Sequence, residues 1–269
     1  MKKYNFLIFA FLFLIFNFTE KQLQAQNSGT LIEVNAETVH IEVNVSDVDV
    51  VVAPFDGAVI SYKLELTEGS KLSVVNRGGN LRFSVFKPAK GTIFIYIPKS
   101  VLLESLRIQS LNSNIQIKGI KSVYFVGSGT GSKIYVSESL FKNVLIAAAA
   151  GRLEFNSRII AVADFCISSA EALISIPEAE EDCNILITQS KNEKFTFKGE
   201  VYKKNNLAVN PINPKKFITI ASSFSKIAVD FVTVPAEPEE KFDKYGISEF
   251  GPKPPPRLVN ELSNFLPNR

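Results

Sequence analysis

A short pattern recurs along this chain: apolar, any residue, apolar, then a small or polar turn, then the same apolar pair nine residues after the first. The clearest copies are Leu106/Ile108 with Ile115/Ile117, Phe125 with Ile134/Val136, Val144/Ile146 with Leu153/Phe155, and Phe165/Ile167 with Ile174/Ile176. Another pairs Leu186 with Phe195/Phe197, and outlying copies start at Ile41, Leu72 and Ile218. The starts at 106, 125, 144, 165 and 186 lie 19, 19, 21 and 21 residues apart. A unit of about twenty residues holding two alternating strands cannot bury its apolar face alone. It has to stack on copies of itself.

In a strand, residues i and i+2 share a face, so the paired apolar positions all point one way. The residue that closes this inward face before each turn is small: Ser110, Gly129, Ala148, Ser169, Ser190 and Ser222. The turns carry Asn112-Ser113, Gly131-Ser132, Ala150-Gly151 and Asn192, residues that accept positive φ or bond locally to the backbone. The expected fold is all-β: a flattened, two-sheet parallel β-solenoid, β-helix-like, with rungs of 19–21 residues. Wider gaps after Ile41, Leu72 and Leu186 leave room for extra structure, and residues 60–66 and 91–97 alternate well enough to be strands. No stretch between residues 30 and 232 sustains a helical period. A β-sandwich is the alternative, because evenly spaced short strands also suit it. The near-constant nine-residue offset favours the solenoid.

The two ends read differently. Lys2 and Lys3 precede an apolar run from Phe6 to Phe18, broken only by Asn17, and a polar stretch leads to Ala25. This is the pattern of a cleaved export signal over residues 1–25, too short for a comfortable membrane span of ~20 residues; an uncleaved anchor is the alternative. Without those residues Lys+Arg is 27 and Asp+Glu 26, so the mature chain is nearly neutral. A nucleic-acid partner, which needs clustered positive charge, is not expected. Residues 26–234 form the repeat domain. From Pro235 onward the chain holds seven of its 13 prolines. Residues 235–269 read as a proline-rich linker and a short amphipathic helix with Leu258, Leu262, Phe265 and Leu266 on one face. Such a helix needs a surface to dock on.

The residues from Ile93 to Pro98 (Ile-Phe-Ile-Tyr-Ile-Pro), then Leu106-Arg-Ile-Gln-Ser110 and its successors, resemble the bacterial putative-adhesin family of exported β-strand-repeat domains. That likeness runs over residues 30–232 and rests on a repeat, not on a catalytic signature. It implies an exported, surface-associated β-solenoid and transfers no site residues. Ala170-Glu171-Ala172 departs from the usual Ser-Gly or Asn-Gly turn.

No motif carries chemistry. Gly127-Ser-Gly-Thr-Gly-Ser-Lys133 lacks the adjacent Gly-Lys and the following helix of a phosphate loop, and reads as a corner. Ser223-Phe-Ser-Lys226 matches Ser-x-x-Lys without the companion elements of serine acyltransferases. His40 is the only histidine and should face solvent; no set of ligands converges on it, so no metal and no cofactor is expected. The outer positions 116, 135, 154, 175 and 196 hold Gln, Tyr, Glu, Ser and Thr, which offers no carboxylate pair for glycan cleavage. Cys166 and Cys183 sit ~13 Å apart in the expected register, beyond the ~7 Å limit for a disulfide; two independent thiols are expected, and a bridge made by a fold-back of Glu178 to Asp182 is the alternative.

One stripe stands out. Val126, Leu145, Cys166 and Ile187 fall on outward positions where polar residues belong, so something should cover them. The chain's own tail is the first candidate, an envelope or surface partner, protein or glycan, the second. Three functions follow: an exported non-catalytic adhesin or envelope scaffold, a glycan-active β-helix enzyme, or a self-assembling envelope filament.

Overall fold

A computed structural model describes residues 22–24, 29–34, 37–86, 89–190, 194–203 and 205–232. The apolar start and the proline-rich end of the chain lie outside these residues, as does Asn192. Among the described residues no helix is long and apolar enough to cross a membrane.

Among the described residues the protein is all-β, with one curled, mixed sheet of 20 strands and a 3-10 turn at Glu180–Asp182. The sheet folds into two faces because its longest strands, β12 (Lys133–Ala149) and β13 (Arg152–Ser168), bend across both. The front face is built from β3 (His40–Ser46), β9 (Leu103–Leu111), β11 (Lys121–Thr130), the second halves of β12 and β13, β19 (Lys216–Ser223) and β15 (Cys183–Gln189), parallel neighbours in that order. β7 (Asn80–Phe86) pairs in parallel on the free side of β3. The back face runs from β8 (Gly91–Pro98) through β4 (Asp49–Phe55), β10 (Asn114–Lys118), the first halves of β12 and β13, β14 (Glu171–Ile176) and β20 (Lys226–Phe231) to β16 (Phe195–Phe197), again parallel.

The repeat therefore does stack, but two expectations need correction. The sheet is mixed, not wholly parallel. Antiparallel strands close both ends: β1 (Gln22–Gln24), β2 (Leu31–Glu33), β5 (Ser61–Leu66) and β6 (Lys71–Arg77) at one, β17 (Glu200–Tyr202) and β18 (Asn206–Val209) at the other. Nor is the order in space the order in sequence. The unit at residues 40–55 sits between those at 80–98 and 103–118, and the unit at 216–231 sits between those at 158–176 and 183–197. The wide gaps seen in the sequence are the crossings that make these exchanges.

Alternation delivers the core. Val43, Ile108, Gly127, Ile146, Phe165, Ile220 and Ile187 form one inward column on the front face. Ile95, Val52, Ile117, Val136, Phe155, Ile174, Val229 and Phe197 form one on the back. Of these only Gly127 lacks an apolar side chain, and Phe125 bends over it: a Cβ there would meet the ring at 3.1 Å. Phe125 stacks on Phe141 with centroids 4.9 Å apart, and Phe155 meets Phe165 edge-on at 5.2 Å. Every side chain in these columns is buried.

One corner repeats in detail. Asp47, Asn112, Gly131, Ala150, Ser169 and Phe224 all adopt φ between 51° and 63°, each at the passage from front to back. Only one is glycine, and a left-handed non-glycine residue costs on the order of 1 kcal/mol. The cost is offset because the N–H of each of the first five donates to a carbonyl of the next unit, at 2.8–2.9 Å. Just inside that corner the buried hydroxyls of Ser113, Ser132 and Ser225 donate to the carbonyls of Leu111, Thr130 and Ser223, which also accept from the corner N–H groups, and the Ser132 hydroxyl accepts from the Ser113 N–H. Gly131 and Ala150 take the positive φ that the turn chemistry asks for.

Candidate functional site

The proposed stripe does not form as one ladder. Val126 pairs with Leu145 in register, but Leu145 then pairs with Asp164, not Cys166. Cys166 lies in the next outward row, beside Ala147 and Ala221. Ile187 is fully buried in the core, and the outward residue of that strand is Leu186, 43% exposed. Two register errors are the cause: Val144 pairs with the small Ala163, so the 19-residue step continues where the larger Phe165 suggested 21, and at residues 183–189 a one-residue error inverts the face, with Ile185 and Ile187 inward and Leu186 outward. The first slip puts Leu173, not Ser175, beside Glu154.

The true outward row on the front face is Arg82, Glu42, Arg107, Val126, Leu145, Asp164, Thr219 and Leu186. It is charged at one end and apolar in the middle. Leu145 and its neighbour Val162 are 6% and 7% exposed, yet neither belongs to the central core cluster. Asp164 sits among them, and burial raises its carboxyl above the usual range, against a hydrogen bond from Thr219 that lowers it. Burial, then the Asp164 charge, raises the Cys166 thiol as well. Burial pushes Cys183 up to about 11, against the pull of Lys216. Both cysteines are free.

The charged end forms a cleft of about 700 Å³. Its walls include Arg82, Glu42, Arg107 and Gln109, with Val126 as an apolar patch. The Glu42 carboxylate accepts from Arg82 at 3.5 Å and from the Asn44 amide at 2.9 Å. At the rim His40 is held on both sides: Nδ1 lies 3.0 Å from Ser105 Oγ and Nε2 3.1 Å from Glu104 Oε2. The sequence reading placed His40 in solvent; its side chain is 38% exposed, but its partners come from a strand 65 residues away.

Serine, histidine and glutamate in contact invite a hydrolase reading. The local backbone opposes it. A tetrahedral intermediate needs N–H donors aimed at its oxyanion, and here the amides of Glu104 and Ser105 both donate to the Val39 carbonyl. The trio fixes the rim of the cleft.

The remaining motifs are structural. Gly127 to Lys133 turns the corner, with Gly131 at φ 63°. Ser223 bonds to Ser168, and Phe224 beside it occupies the left-handed corner. On the back face Glu154 is bound by Arg152 at 2.6 Å, and Arg152 reaches Glu171 at 3.5 Å. Among the described residues no group of three or more His, Cys, Asp or Glu could hold a metal ion.

No known family profile matches the sequence, and no curated protein matches it. Among solved structures the chain is similar to a "putative cell adhesion protein" from Clostridium sporogenes, at 10% identity and TM-score 0.38, over 76% of this chain and 98% of that one. It is also similar to a "putative adhesin" from Bacteroides fragilis, at 10% identity and TM-score 0.31, over 77% and 99%.

Proposed function

We propose that the protein is an exported, non-catalytic β-solenoid that presents its front face to a surface or envelope partner, as an adhesin or scaffold. In this reading residues 1–25 are a signal removed on export, residues 26–234 are the rigid solenoid, and residues 235–269 are a tether. The observation that carries it is the front-face row itself. A charged cleft runs into a strip of apolar residues, Val126, Leu145 and Val162, that point away from the core on a hydrogen-bonded ladder. Leu145 and Val162 are already nearly buried, so the apolar side chains this row leaves open are Val126 and Leu186, and open apolar side chains on an outer face mark a surface that something covers. The amphipathic tail is the internal candidate for that cover. A filament fits less well, because the outermost strands at both ends are three or four residues long and leave little edge for growth.

The test uses the chain from residue 26 onward and the same chain ending at 234. Immobilised protein is challenged with envelopes of the producing cell and with glycan-bearing and protein-coated surfaces. Saturable retention, increased when the tail is removed, supports the reading. Absence of retention by both forms, or turnover of a glycan, would overturn it.

A further inference from the structure

We infer that the front-face cleft is a saccharide site whose preferred ligand carries a carboxylate, a sugar acid. This rests on the attachment reading and makes it specific.

Arg107 carries the inference. It stands in register between Glu42 and Val126, exposed on the cleft wall. Glu42 is its natural cross-strand partner, but the Glu42 Oε1 accepts from Arg82 and Asn44 instead, which leaves Oε2 open to the cleft. Among the described residues Arg107 makes no ion pair or hydrogen bond. A guanidinium offers five donors in a planar fork that fits a carboxylate in two bonds. Here that fork is left open inside a concavity, beside a neutral amide, Gln109, and an apolar patch, Val126.

The rest of the cleft suits a sugar ring. Glu42 can accept from hydroxyls, Arg82 and Gln109 can donate, and Val126 offers a flat apolar contact for ring C–H groups. Strand spacing of ~4.8 Å puts the backbones of Arg82 and Arg107 ~10 Å apart, room for one pyranose between them. The volume, about 700 Å³, is in the range of small-ligand sites. His40, held by Ser105 and Glu104, fixes the rim, so the ordering cost of binding falls on the Arg107 side chain itself.

The experiment is calorimetric titration of the chain from residue 26 with two matched pairs of probes. Trigalacturonate is compared with its methyl ester, and sialyllactose with lactose. The expected result is binding of at least one acid, tenfold or more tighter than its neutral mate, weakening as salt rises. Arg107→Gln should remove that preference while leaving the circular dichroism and melting temperature unchanged, because no protein partner is lost. A matched substitution on the back face, Lys133→Gln, should have no effect. The two acid arms separate a polyuronate from a sialylated source. Equal binding of acid and neutral probes, binding of neither, or an unchanged preference in Arg107→Gln overturns the inference. If surfaces still retain the protein in that case, the attachment reading stands without it. If surfaces retain nothing but a sugar acid binds through Arg107, attachment fails and the site remains.

Discussion

Replacing Phe141 by alanine should lower the unfolding free energy by about 4 kcal/mol. The ring is fully buried and lies between Phe125, with centroids 4.9 Å apart, and Phe155, at 6.5 Å. Three contributions add. Returning the ring's surface to water forfeits about 2–3 kcal/mol of transfer free energy. The cavity costs more, since parallel ladders on both sides resist collapse; measured Phe→Ala changes in cores run about 3–5 kcal/mol in total. Loss of the stacked pair contributes about 0.5–1.5 kcal/mol of that. The chain has no tryptophan, so far-ultraviolet circular dichroism in urea is the readout. The midpoint should fall with the slope unchanged if the units melt together. Phe141→Leu should recover more than half of the loss. A loss below about 1 kcal/mol at unchanged slope would refute the packing described for this corner. A smaller slope would mean instead that the stack melts in sections.

Three further outcomes are expected. Gly151→Ala should cost about 3 kcal/mol, since a Cβ there would lie 2.0 Å from the Ser132 carbonyl oxygen, whereas Gly127→Ala, facing a ring atom at 3.1 Å, should cost about 1 kcal/mol; thermal melts rank the two. In native protein at pH 8 neither cysteine should react with a soluble thiol reagent, and both should react in urea; loss of two hydrogens in the intact mass would instead reveal a disulfide. The raised carboxyl of Asp164 means the folded state binds the proton more tightly, so its contribution is full below the ordinary value of 3.8 and is lost as pH climbs through the folded value. Asp164→Asn, if it keeps the Thr219 bond, should therefore be at least as stable as the parent at neutral pH and should lose that advantage below pH 3.8, as urea titrations across pH would record.

The inward face was legible because strand alternation is a local rule. Leu106, Ile108, Ile146, Phe155 and Ile174 are buried as the two-residue period demands. Corner chemistry was legible for the same reason: Asn112, Gly131 and Ala150 all adopt the expected left-handed conformation. What failed was register across units. Ala163 is too small to announce itself as an anchor beside Phe165, and in Ile185-Leu186-Ile187 three apolar residues of equal size hide which face is inward, although Ile185 and Ile187 fill the core. A two-residue slip preserves which face a strand buries but changes which outward residues become neighbours, so the stripe dissolved while the core through Ile176 survived; at 183–189 the error is of one residue, and the face itself inverts. The cleft was illegible altogether. Glu42 and Arg107 are 65 residues apart in sequence, and only the exchanged position of the unit at 40–55 makes them adjacent.

That exchange also bears on how the chain can acquire its shape as it emerges. A coil whose turns follow one another could zip from its first residue, each turn settling on the last. Here the segment at 40–55 has both neighbours downstream of it, one complete when residue 98 has appeared and the other only at residue 118. At the far end the segment at 183–197 has to wait for 216–231, which lies between it and the rest of the stack. Up to residue 176 each turn can still settle on one already made, 80–98 on one side of 40–55 and 103–118 on the other, so the segment at 183–197 is the part that must be set home after a neighbour synthesised later.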